Sequence, residues 1–270
     1  MKFTAPIGVF DSGLGGLTVV RALRRALPNE DILYLGDTAR VPYGTKGPAT
    51  VTRYAIACAG HLVKRGVKAI VIACNTVSAV APERLRVEFD LPILGVIEPG
   101  AREATKVTRS GRIGVLATTA TIASGAYTRA VTRFSTRVEV FGQAAPLLVP
   151  LAEEGWTEGD VPRLAVRRYL APLHDAHIDT LVLGCTHYPL LRAVIEEEAR
   201  KSFGNDARVV DSAEATAEDV HSFLNERGLA QQKTQNGRVD LLVTDLPATF
   251  ATMAERFLGE RVEEPEVVDL

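Results

Sequence analysis

Along the chain, short continuous apolar runs alternate with longer stretches in which apolar residues recur at helical spacing. Runs at 7–10, 32–35, 69–73 and 93–97 are too short for buried helices and predict strands covered on both faces. Helix-like segments such as 55–64 stand between them. The rhythm restarts at 113–116, 138–141 and 181–184, and returns at 209–211 and 238–244. Alternation of this kind predicts a parallel α/β architecture, because parallel neighbours need a crossover long enough to hold a helix.

The second half echoes the first. Ile7-Gly8-Val9-Phe10 corresponds to Ile113-Gly114-Val115-Leu116, and Leu33-Tyr34-Leu35-Gly36 to Glu139-Val140-Phe141-Gly142, both at an offset of 106 residues. Val71-Ile72-Ala73-Cys74 and Val182-Leu183-Gly184-Cys185 lie 111 apart, a drift that a loop insertion absorbs. The repeat predicts two similar lobes, each a parallel sheet flanked by helices, related by a pseudo-twofold axis with the active site in the cleft between them. The expected boundaries are 1–97 plus 209–270 for the first lobe and 98–208 for the second. Ligands of parallel sheets bind beyond the carboxyl ends of the strands, where Cys74 and Cys185 stand at equivalent positions.

Composition narrows the function. The 270 residues are 46% hydrophobic and 24% charged with a net charge of −2, so no basic field attracts a polyanion and nucleic acid is excluded as a main partner. The opening MKFTAPIGVFDSGLGG reaches glycine and aspartate too early for a signal-peptide core. No run approaches the roughly 20 apolar residues of a membrane span, so the expected setting is the cytoplasm. Three widely spaced cysteines do not suggest a disulfide framework, which leaves their use as thiols.

Inverting a carbon that bears an acidic hydrogen needs a base on one face and an acid on the other, and two equivalent thiols suit that demand. A free thiol has a pKa of about 8.5, which a helix N-terminus or a nearby cation lowers. Cys74 precedes Asn75-Thr76 and Cys185 precedes Thr186-His187, so both thiols are expected at strand-to-helix turns whose amides favour negative charge and could hold a carboxylate. Cys58, with no polar pair beside it, reads as core packing. The glycine-rich run Asp11-Ser12-Gly13-Leu14-Gly15-Gly16 has threonine at position 18 where a dinucleotide fingerprint needs glycine, and Asp37 imitates a ribose-binding acid only superficially. Asp11 is either a carboxylate beside the cleft or a helix N-cap, and Ser12 shares that ambiguity. His187 either exchanges protons beside Cys185 or caps the local structure. Glu153 and Glu154 read as a solvated acidic turn. Zinc-ligand spacing is absent, and no strand-end lysine with a phosphate cradle suggests pyridoxal phosphate, so neither metal nor cofactor is expected.

Asp11-Ser12-Gly13-Leu14-Gly15-Gly16, Gly36-Asp37-Thr38-Ala39-Arg40-Val41-Pro42-Tyr43-Gly44, Ala73-Cys74-Asn75-Thr76, Gly95-Val96-Ile97-Glu98-Pro99 and Leu183-Gly184-Cys185-Thr186-His187 resemble, in order, the motifs of glutamate racemases, members of the cofactor-independent aspartate/glutamate racemase family. The likeness departs at Ala145, where many relatives carry cysteine. The resemblance implies interconversion of L- and D-glutamate for peptidoglycan, with Cys74 taking the α-proton of the D-enantiomer and Cys185 that of the L-enantiomer. It also implies that Asp11, His187 and Glu153 assist the thiols. Ser12, Asn75, Thr76, Thr186 and the backbone amides of Tyr43 and Gly44, with Thr118, would then bind the substrate, and a homodimer is expected. Aspartate and hydantoin racemases share the two-thiol logic, and a non-catalytic two-lobe amino-acid-binding regulator would use the same cleft with neither thiol required. A cysteine hydrolase with His187 as base would leave the second thiol unused.

Overall fold

The computed structural model describes residues 3–270. Its strands are β1 (Ile7–Asp11), β2 (Ile32–Gly36), β3 (Ala69–Ile72), β4 (Ile93–Gly95), β5 (Arg112–Ala117), β6 (Glu139–Ala144), β7 (Thr180–Gly184), β8 (Arg208–Asp211), β9 (Val239–Val243) and β10 (Glu266–Val267). They form a six-stranded sheet in the order β10-β9-β2-β1-β3-β4 and a four-stranded sheet in the order β6-β5-β7-β8. All pairings are parallel, with Ile7 opposite Ile32 and Ala69 in the first sheet and Ile113 opposite Val140 and Thr180 in the second. The order β2-β1-β3-β4 thus recurs as β6-β5-β7-β8, and Cys74 and Cys185 follow the corresponding strands β3 and β7.

Every residue of β1, β2, β3 and β7 is buried, which is why these strands read as unbroken apolar runs instead of alternating ones. The first sheet is covered on one face by α1 (Leu17–Ala26), α11 (Ser212–Glu226) and α12 (Phe250–Leu258). Its other face carries α2 (Pro48–Lys64), α3 (Asn75–Val80) and α4 (Pro82–Glu88). The second sheet lies between α5 (Ile97–Val107) and α7 (Ala126–Phe134) on one side and α8 (Leu148–Glu154), α9 (Asp160–Leu170) and α10 (Arg192–Phe203) on the other. A short α6 (Thr119–Ala123) follows β5. Each Leu, Ile or Val side chain buried in these layers contributes roughly 1.5–3 kcal/mol.

Two expectations are corrected. The apolar run 93–97 is a strand only to Gly95, since Ile97 already opens α5 and turns inward with Ala101 and Ala104 onto the second sheet. Arg208–Asp211 pairs with β7, from Thr180 opposite Arg208 to Leu183 opposite Asp211, so the chain returns to the first lobe after Asp211, not at 208/209. A four-residue strand with two apolar residues carries no mark of which sheet it joins. Residues 1–2 of the expected first lobe lie outside the described residues.

At the amino ends of the first sheet's strands, Lys68 and Glu30 form a fully buried ion pair. The ammonium also donates to the carbonyls of Phe3 (3.0 Å) and Leu229 (2.8 Å), and Glu30 accepts from the Gln231 amide at 2.7 Å. Removing one partner strands the other charge without water. Lys68→Met is therefore expected to cost about 3–5 kcal/mol in urea unfolding, and adding Glu30→Gln to recover part of that loss.

Candidate active site

β1 delivers Asp11 to the top of the first sheet, and the chain then turns sharply into α1. The Asp11 carboxylate accepts from the amides of Gly13 (3.2 Å) and Gly16 (2.9 Å), which ties the loop closed, while its other oxygen is buried without a partner. It is not the N-cap of α1, a place taken by Gly16. Tyr34 donates to the Gly13 carbonyl at 2.6 Å from beneath. Gly15 has no room for a side chain, since a Cβ there would lie 2.5 Å from the His187 ring and the Thr186 hydroxyl of the second lobe. Thr18 donates at 2.9 Å to the Thr186 carbonyl, so the residue that spoils the dinucleotide fingerprint joins the two lobes.

Cys74 is the N-cap of α3, and its sulfur lies 3.6 Å from the Ser12 hydroxyl. Burial, reinforced by the Asp11 charge, pushes this thiol up to about 12, against the Val77 amide and the Ser12 hydroxyl, which pull it down. The amide at the start of α3 does pull the thiol down as the sequence suggests, but desolvation outweighs it. Cys185 differs again. It stands in a bend followed by a 3-10 turn, Tyr188–Leu191, and α10 begins only at Arg192, so no α-helix starts at this thiol.

The Cys185 sulfur lies 3.8 Å from Nδ1 of His187, whose Nε2 is 3.1 Å from the Glu153 carboxylate. Burial alone would lower the imidazole, but hydrogen bonds and charge from Cys185 and Glu153 prevail and push His187 up to about 10. Glu153, read from sequence as a solvated turn, lies in the last turn of α8, one turn after Val149, and is partly exposed. Behind this pair stands α12: Phe257 meets the His187 ring edge-on with centroids 5.1 Å apart, and Arg256 donates to the Glu153 carbonyl. Neither residue was singled out from sequence, because an amphipathic helix near the end of the chain gives no sign of what it backs.

Between the lobes lies a cavity of about 330 Å³. Ser12, Tyr43, Gly44, Cys74, Asn75 and Thr76 line it from the first lobe, and Thr118, Glu153, Cys185, Thr186 and His187 from the second. Of the sequence-selected residues only Asp11 is set behind the wall. Tyr43 points its hydroxyl away, to the buried carboxylate of Asp37, which also accepts from Arg40 and Thr244 at 2.9 Å each. Asp37 therefore anchors the turn 42–44 from below. Thr118 caps α6 and lies 3.0 Å from the Thr76 hydroxyl across the cleft. Val41, Pro42, Pro146, Val149 and Pro150 supply an apolar wall that sequence reasoning missed, although Val149 and Glu153 share a helix face at i, i+4 spacing. Among the described residues no cluster of three His, Cys, Asp or Glu side chains could hold a metal ion, and no helix is long and apolar enough to cross a membrane.

Two inward-facing thiols flanked by an aspartate on one side and a histidine–glutamate pair on the other form a site for acid–base work at a small polar ligand. Residues 7–220 match the Asp/Glu/Hydantoin racemase family, and the chain belongs to it. It is 52% identical over 264 residues to a glutamate racemase of Geobacter metallireducens, covering 98% of this chain and 96% of that one. A Thermus thermophilus glutamate racemase in complex with beta-chloro-D-alanine superposes with a TM-score of 0.89 at 46% identity, covering 100% and 99% of the two chains. A Francisella tularensis glutamate racemase in complex with D-glutamate does so with a TM-score of 0.91 at 38% identity, covering 99% and 98%.

The raised His187 makes a signed prediction. A histidine that binds its proton more tightly folded than unfolded adds stability that is complete below its unfolded value, about 6.5, and is lost as pH climbs through the folded value, about 10. Glu153→Gln removes one anionic partner. The excess thermal stability of the wild type over this variant should be greatest at about pH 6 and shrink steadily toward about pH 10 in a denaturation series.

Proposed function

We propose that this chain is a glutamate racemase that works with two thiols and no cofactor, on the strength of one observation: Cys74 and Cys185, carried by corresponding strands of the two sheets, border a single small cavity. In this reading the Cys74 thiolate removes the α-proton of D-glutamate while the Cys185 thiol delivers its own proton to the opposite face. L-glutamate leaves, Cys74 is left as thiol and Cys185 as thiolate, and the reverse reaction exchanges the roles. Asp11 acts on Cys74 through the Ser12–Gly16 loop it ties, and the His187–Glu153 pair balances charge at Cys185.

Occupancy by an amino acid is supported by an unpartnered acceptor. The buried Oδ1 of Asn75, which lines the cavity next to Cys74, lacks a hydrogen-bond donor. A buried acceptor without a donor is costly, and a substrate ammonium supplies one. The same positive charge would bring the Cys74 thiol down toward a range in which it ionises. Ser12, Asn75, Thr76, Thr118, Thr186 and the amides of Tyr43 and Gly44 hold the substrate's polar groups, and Pro42-Tyr43-Gly44 selects the longer side chain of glutamate over aspartate. From the resemblance we infer in addition a cytoplasmic homodimer that supplies D-glutamate for peptidoglycan.

The test is incubation with L- or D-glutamate in deuterated water, following optical rotation and α-deuterium together. The wild type should racemise and exchange. Cys74→Ser and Cys185→Ser should each lose racemisation by at least about 10³-fold, the scale of a lost general acid or base. Exchange should survive better from L-glutamate in the first variant and from D-glutamate in the second. A wild type that exchanges aspartate or a hydantoin and not glutamate would move the substrate within the family. One that exchanges none of them would leave a binding module.

A further inference from the structure

The amide of Asn75 can face a ligand with either end, and the direction is set from the other lobe. Its Nδ2 donates to the hydroxyl of Tyr127 on α7 at 2.9 Å, which leaves Oδ1 as the end without a partner. Next to the Tyr127 hydroxyl stands the hydroxyl of Ser212, the first residue of α11. Ser212 in turn donates at 3.1 Å to the carbonyl of Leu183 in β7, two residues before Cys185.

The two observed bonds, Asn75 to Tyr127 and Ser212 to Leu183, constrain the polarity of this cluster. A carbonyl only accepts, so the Ser212 proton is committed to Leu183. The Tyr127 oxygen accepts from an N–H of Asn75, and the Ser212 hydroxyl beside it, its own proton engaged, is the neighbour toward which the phenol proton can turn. Burial holds the phenol well above its ordinary pKa, so it always has that proton to place. Gly184 keeps the space open, since a Cβ there would lie 3.1 Å from the Tyr127 ring.

We infer that Tyr127 and Ser212 are positioning residues that turn the Asn75 carboxamide so that its oxygen, and not its nitrogen, is offered to the substrate ammonium. This rests on the reading of the cavity as a glutamate site. Tyr127→Phe removes the acceptor and lets the amide rotate. Ser212→Ala frees the phenol proton to donate to Asn75 Oδ1, which reverses the amide outright. Both variants should raise the KM for glutamate about 10- to 100-fold, the scale of one hydrogen bond to a charged group. Both should leave the inhibition constant of glutarate, which keeps both carboxylates and lacks the ammonium, within about twofold of the wild type. Ser212→Thr, which retains the hydroxyl, should restore the wild-type KM. The inference is overturned if either folded variant keeps its glutamate KM within about twofold of wild type, or if glutarate weakens in step with glutamate. A wild type inactive on glutamate would instead sink the underlying assignment of the site, so the two failures are distinguishable.

Discussion

The site depends on one close approach. Gly15, on the loop after β1, packs so tightly under Thr186 and His187 that a single added carbon would sit 2.5 Å from both. Thr18 then locks the contact with its bond to the Thr186 carbonyl. Because β1 lies beside β3 and β7 leads directly into Cys185, fixing the 12–16 loop against the 185–187 turn also fixes the separation of the two thiols. Any acid–base step served by both thiols would depend on that separation, because a misplacement of about an ångström is costly to proton transfer.

Within that frame the two halves are unequal. Their strand order is the same, yet Cys74 sits on a helix N-terminus beside a buried carboxylate, while Cys185 sits in a bend beside an imidazole raised by its contacts with Cys185 and Glu153. The Asp11 anion beside Cys74 adds to desolvation in favouring the neutral thiol. The repeated strand order gives the two thiols equivalent positions, and the residues around them differ. Supports from outside the cavity are divided as well: α12 of the first lobe backs His187 and Glu153, and α7 of the second lobe holds Asn75. Each lobe thus steadies machinery carried by the other.

Much of this was legible beforehand, for a reason that differs by feature. Strands buried on both faces are apolar nearly throughout, so β1, β2, β3 and β7 announce themselves in one dimension, and a repeated offset of 106 signals the recurring strand order. The thiols, the glycine-rich loop and the polar pairs after each cysteine are local in sequence, because strand ends place consecutive residues at a ligand. By themselves the residues therefore determined the α/β class, the two lobes and the short-range members of the site. Tertiary structure alone decided what depends on distant partners: the sheet that Arg208–Asp211 joins, the protonation of Cys74, the elevation of His187 by Glu153, and the roles of Asp37, Tyr127, Ser212, Arg256 and Phe257. Burial and charge act through space, so their effect on a proton or an amide is set by neighbours that the chain brings together only on folding.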